Sequence, residues 1–166
     1  MNEARAAALQ QIDSAGAPQP LAGIGLEGFA PYLMNRIMGR YNASMREHMA
    51  RLGWTTPKMR ALAVLSVIEA PMIRDLAVYT VTDASTLSRA LDSLAAEGLV
   101  RREPDPADAR AIRVILTGAG REKFEAFWPT MERAAAQMLR GIPAPERQAF
   151  LRTLQKLLAN IRQHDF

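Results

Sequence analysis

Cysteine is absent from the chain. That excludes disulfides, cysteine-ligated metal sites and thiol redox sensing together. Histidine is nearly absent, with only His48 and His164, far apart in sequence. A transition-metal site would therefore rest largely on carboxylates, and neither a metal nor a cofactor is expected. No apolar run approaches the ~20 residues needed to span a bilayer. The N-terminus has no apolar core behind a basic start, so no signal peptide is read there. These absences point to a soluble, cytoplasmic protein with no membrane partner. No nucleophile–base pair, metal cluster or phosphate loop is recognisable, which argues against an enzyme. Gly23-Ile24-Gly25-Leu26-Glu27-Gly28 spells G-x-G-x-x-G. A dinucleotide fingerprint needs a strand before it and a helix after it; here Pro18 and Pro20 precede it, so the glycines read as linker.

What is present favours helices. Hydrophobic residues make up 49% of 166 residues and aromatics 6%. That is enough for a core, in one compact domain or a small domain with a dimerisation arm. Net charge is +4, weak support for a nucleic-acid partner. Its distribution is informative. Residues 84–117 carry five Arg and five acids and are neutral overall, whereas residues 118–166 carry eight basic and five acidic groups. Any nucleic-acid reader must therefore depend on where individual arginines lie.

Residues 1–28 read as a flexible lead-in, with a short helix over Asn2–Ile12. Phe29–Leu52 reads as a long helix with an apolar stripe at Leu33, Ile37, Tyr41, Met45 and Met49, stopped by Gly53. Thr56 and Pro57 start the next helix as N-cap and first residue, and it runs over Lys58–Glu69 until Ala70-Pro71. A third helix covers Met72–Tyr79. The fourth, Ala84–Glu97, is capped by Asp83 or Thr82. Its Leu87, Leu91 and Leu94 face a core, so Ser85, Thr86, Ser88, Arg89, Asp92 and Ser93 face outward. Strands are expected at Val100–Glu103 and Ala111–Leu116, with Pro104 and Pro106 holding the intervening loop off the ladder. Thr117 caps a helix from Gly118 to Arg140, with Pro129 expected to kink it. The last helix, Pro145–Gln163, repeats Phe150, Leu154, Leu157 and Ile161 at spacings of four, three and four. Its apolar surface is two-sided, more than one neighbour requires.

Short helices followed by a two-stranded hairpin form a winged helix-turn-helix. The fold class expected is mainly α with a small β-wing, joined to a helical dimerisation arm. In such a fold the second helix of the turn enters the major groove and the wing reaches the minor groove. Ser85, Thr86 and Ser88 allow close approach to DNA, and Arg89 can bond a guanine edge. Lys58 and Arg60, near a helix start, are candidate contacts to the phosphate backbone. Tyr32, Arg36, Arg40 and Trp54 are candidates for an effector pocket, with packing and surface charge as the equal alternative.

Ser85–Arg102, STLSRALDSLAAEGLVRR, together with Asp108-x-Arg110 and Leu116-Thr117-x-x-Gly120, resembles the MarR family of bacterial transcriptional regulators. In element order the resemblance runs from about Phe29 to Ile161. It implies that Arg110 enters the minor groove while Asp108 holds it and the loop in place. It also implies a homodimer built from the first and last helices, with residues 29–53 and 118–166 as the dimerisation region and 54–117 as the DNA-binding domain. The surplus apolar face at Phe150, Leu154, Leu157 and Ile161 fits that dimer. Two departures stand out. The turn before the reader helix often carries glycine in this family, whereas Tyr79-Thr80-Val81-Thr82-Asp83 has none. The first 28 residues have no counterpart.

The leading expectation is a homodimeric repressor that binds a pseudo-palindromic operator and is released by a small aromatic or anionic ligand. The alternative is a winged-helix module that binds protein instead of DNA, which the neutral charge of residues 84–117 mildly favours. Arg110 has a plainer reading as a loop charge paired to Asp108, and Arg89 as a partner of Asp92 on its own helix.

Overall fold

The computed structural model describes residues 20–108 and 110–163, with side chains to Ile161. The expected helix over Asn2–Ile12 and His164 lie outside the described residues. The chain forms two compact units, Met1–Thr56 and Pro57–Phe166.

In the first unit a single turn of helix, α1 (Leu21–Ile24), precedes the long α2 (Ala30–Arg51). Gly25 and Gly53 both have positive φ, and Gly53 ends α2 as its position requires. Part of the G-x-G-x-x-G stretch is thus helix and turn, with no strand preceding it among the described residues. The apolar stripe of α2 divides. Met45 and Met49 are buried, whereas Leu33, Met34, Ile37 and Met38 are exposed. Tyr41 is half-buried, and burial raises its phenol pKa.

The second unit carries the helix-turn-helix. Helix α3 (Thr56–Leu65) stops four residues before Glu69, short of the sequence expectation. Pro71 disfavours right-handed helix at Ala70, and Ala70 instead takes φ 45°. Helix α4 (Ile73–Thr80) follows, then α5 (Ala84–Ala96), capped by Asp83. The core is leucine-rich: Leu62, Leu76, Leu87, Leu91 and Leu94 have no exposed surface.

Strand β1 (Val100–Pro104) pairs antiparallel with β2 (Ile112–Leu116), from Val100 opposite Leu116 to Pro104 opposite Ile112. Pro104 therefore belongs to the ladder, contrary to expectation. It occupies the last pair, where a missing N–H costs little. On its other side β2 meets residues 71–72. The Val114 amide donates to the Pro71 carbonyl at 3.0 Å, and Met72 bridges Arg113. Val114 is therefore flanked on both edges and fully buried, while Ile112 and Leu116 are only half-buried.

Helix α6 (Gly118–Met138) begins at Thr117, whose hydroxyl accepts from the Gly120 amide at 3.0 Å. A Cβ at Gly120 would lie 2.0 Å from the Leu99 carbonyl oxygen, so only glycine lets α6 cross the start of the hairpin this closely. Helix α6 continues through Pro129. It buries Phe124 and Phe127 and leaves Trp128 and Met138 exposed. The last helix, α7 (Ala144–Gln163), has no buried residue among those described; Phe150, Leu151, Leu157, Leu158 and Ile161 are all exposed.

Candidate nucleic-acid interface

The N-terminus of α5 is fixed by one carboxylate. Asp83 Oδ1 accepts from the Thr86 amide at 2.8 Å and from the Ser85 hydroxyl at 2.7 Å. The Ser85 hydroxyl first, and then the Thr86 amide, stabilise the charged carboxylate and lower its pKa to about 2. The Ser85 proton is thereby committed to the cap and not to a phosphate. Leu87, Ala90, Leu91 and Leu94 anchor the inner face of α5. Ser85 and Arg89 are exposed on the outer face, with Thr86 and Ser88 half-buried beside them. The Arg89 guanidinium donates to the Thr86 hydroxyl at 3.3 Å. The alternative pairing of Arg89 with Asp92 is not formed, because Arg102 reaches across from β1. It pairs with Asp92 at 2.8 Å and donates to the Ser88 carbonyl at 3.2 Å. The wing is thus tied directly to the reader helix.

At the wing, Asp108 acts on the backbone. Its carboxylate accepts from the Arg110 amide at 3.0 Å, and its carbonyl accepts from the Ala111 amide at 2.9 Å. It shapes the loop that carries Arg110 and leaves the exposed guanidinium without an ion-pair partner among the described residues. The acid that anchors the wing is Asp105, which no motif or spacing in the sequence distinguishes from its neighbours. It is buried and accepts from the amides of Ala107 at 2.8 Å and Asp108 at 3.0 Å, and from Arg113 Nε. The Ala107 amide is the main cause that holds its pKa below the ordinary carboxylate value, against the opposing effect of burial. Arg113 in turn donates to the Ala70 carbonyl at 2.9 Å. The wing loop, β2 and the α3–α4 connection form one bonded assembly. Between the start of α4 and the wing lies an open cleft of about 320 Å³, lined by residues that include Ile73, Arg74, Asp108 and Arg110.

Two candidates are corrected. Lys58 is buried, with its ammonium 2.7 Å from Glu97, so it serves packing and not a phosphate. Lys123 reaches the same carboxylate at 3.5 Å. The bond from Lys58 is the main cause that lowers the Glu97 pKa. Arg60 is half-buried and donates to the carbonyls of Thr80 at 3.1 Å and Val81 at 3.5 Å, bracing the turn before α5. The proposed effector residues do not converge either. Tyr32, Arg36 and Arg40 share one face of α2, where Arg36 donates to the Tyr32 hydroxyl at 3.1 Å. Trp54 is buried beyond the far end of that helix, and Tyr32 to Arg51 alone spans roughly 28 Å.

The acids of the reader are therefore assigned. Asp92 serves Arg102, Glu103 serves Arg101, Asp105 serves Arg113, and Asp83 and Asp108 bond backbone amides. Arg89 and Arg110, exposed, have no carboxylate partner among the described residues.

The MarR family profile matches residues 52–111. The structure of a MarR-family transcriptional regulator from Silicibacter pomeroyi is 56% identical, with a TM-score of 0.83, over 89% of this chain and 100% of that one. The chain belongs to the MarR family. Among other similar structures, that of Bordetella bronchiseptica BpsR is 27% identical with a TM-score of 0.67, over 76% of this chain and 96% of that one. It is described as regulated in its DNA binding by 6-hydroxynicotinic acid. The transcriptional repressor IacR of Pseudomonas putida is 23% identical over 81% of each chain. The family assignment agrees with a mainly helical chain carrying a two-stranded wing. Among the described residues no helix is long and apolar enough to cross a membrane.

Proposed function

We propose that this MarR-family chain acts as a homodimeric, sequence-specific DNA-binding repressor released by a small ligand. The observation that carries this reading is the division of charge. Each wing and reader acid has a local task, so Arg89 and Arg110 are left exposed for DNA. Arg89 addresses a major-groove base edge, with Thr86 and Ser88 beside it, and Arg110 addresses the adjacent minor groove. Asp108 and Ser85 support these contacts through the loop and the cap. The balanced charge of residues 84–117 restrains non-specific affinity, while placement supplies specific contacts.

The exposed apolar residues of α7, Phe150, Leu157 and Ile161, with half-buried Leu154, support a two-fold dimer. In the first unit, Leu33 and Ile37 of α2 are likewise exposed. Two readers about one helical turn apart, ~10 bp, match a pseudo-palindromic operator. Ligand release follows if a small aromatic or anionic molecule binds better to a dimer whose reader spacing does not fit the operator. BpsR, whose regulator is an aromatic acid, supports that ligand class.

The test is binding to duplexes selected from a random library, measured against salt. A steep fall in affinity with salt is the expected result. A chain that selects no duplex, or binds one without salt dependence, would favour the protein-interaction module.

A further inference from the structure

The turn between α4 and α5 contains a residue whose backbone conformation is costly and whose side chain the fold leaves unused. Val81 has φ 48° and ψ 54°, the left-handed conformation. A β-branched side chain is strained there, and glycine or asparagine fits better. Strained backbone of this kind persists only where its surroundings over-determine it, and here they do. The Val81 amide donates to the Val78 carbonyl at 3.2 Å, and the Thr82 amide to the Ala77 carbonyl at 3.2 Å. The Thr82 hydroxyl donates to the Thr80 carbonyl at 3.1 Å, and Arg60 spans the carbonyls of Thr80 and Val81. Yet the Val81 side chain contributes almost no packing, being 81% exposed. It lies two residues before the Asp83 cap, at the end of the reader helix that approaches the base edges.

We propose that Val81 is a specificity-determining DNA contact whose methyl groups pack against the 5-methyl group of a thymine in the half-site. An aliphatic side chain makes no hydrogen bond, and the thymine methyl is the apolar group that the major groove presents to such a residue. This inference rests on the DNA-binding reading above.

The test uses the full chain and a duplex that the wild type selects from a random library. Each thymine is replaced in turn by deoxyuridine, which removes only the 5-methyl group. The wild type is expected to lose about fourfold in affinity at one thymine per half-site, the worth of one buried methyl. V81G is expected to bind the parent duplex several-fold more weakly and to be indifferent to that same replacement, so that the two losses are not additive. V81N, which also tolerates this backbone, separates loss of the methyls from added chain freedom and should show the same indifference. Both variants should unfold no earlier than the wild type. Additive losses, a wild type insensitive to every deoxyuridine, unchanged affinity in V81G, or earlier unfolding of both variants would overturn the proposal. A wild type that selects no duplex fails the DNA-binding reading itself, a distinguishable result.

Discussion

The Asp105 carboxylate receives the Nε–H of Arg113 across the base of the wing, and Arg113 carries the connection on to the Ala70 carbonyl at 2.9 Å. The same carboxylate closes the start of the loop through the amides of Ala107 and Asp108. One buried acid thus defines the platform from which Arg110 projects. Replacing it should loosen the wing without touching DNA directly. In D105A the amides of Ala107 and Asp108 should exchange hydrogen faster than in the wild type, and operator affinity should fall. Unchanged exchange at both amides would dissociate Asp105 from the loop's order.

Arg110→Ala addresses the contact and not the platform. Operator affinity should fall, the slope of log affinity against log salt should shrink by up to about one for each charge lost, and the dimer should persist. Equal affinity and slope in gel-shift titrations would remove Arg110 from the interface.

Lys58→Ala separates a structural cation from a DNA contact. The variant leaves Glu97 with Lys123 and the Ser93 hydroxyl, at a cost of about 1–2 kcal/mol, reduced by the partial exposure of Glu97. Thermal unfolding should register that loss, while the salt dependence of DNA binding stays unchanged. A smaller salt slope would restore Lys58 as a backbone contact.

Asp83 links the reader helix to pH. Its carboxyl pKa is lowered from 3.8 to about 2 in the folded chain. A depressed folded pKa gives stability that is fully present above the unfolded value and lost as pH falls from 3.8 through about 2. Asp83→Asn retains a capping oxygen and should remove this part of the acid dependence. Carboxyl-carbon NMR titration of Asp83 checks the midpoint directly; a midpoint near 3.8 would contradict the cap geometry.

Leu154→Asp with Leu157→Asp places two charges on the outer face of α7. Sedimentation should show monomers, since carboxylates do not enter an apolar interface unpaired. A persistent dimer would move the interface elsewhere.

Gly120→Ala tests the crossing of α6 over the hairpin. The 2.0 Å approach to the Leu99 carbonyl leaves no room for a methyl. Overpacking of this kind costs about 1–3 kcal/mol, measurable by denaturant unfolding.

The local sequence determined most of the elements. Leucines at helical spacing identify the inner face of α5 at Leu87, Leu91 and Leu94, and so expose Arg89 on the outer face. Asp83 and Thr117 announce two helix starts, and Gly53 marks an end. These features are legible because capping and helical periodicity act within a few residues. Tertiary structure decided the partners. Lys58 meets Glu97 39 residues away, and Arg113 meets Ala70 43 residues away. Arg102, not Arg89, takes Asp92, because the hairpin folds back onto α5. No spacing rule encodes such pairs, since they depend on how whole elements pack. The absence of glycine between Tyr79 and Asp83 was plain in the sequence. That Val81 takes the left-handed position was settled only by the packed turn, whose hydrogen bonds hold a conformation that valine alone disfavours.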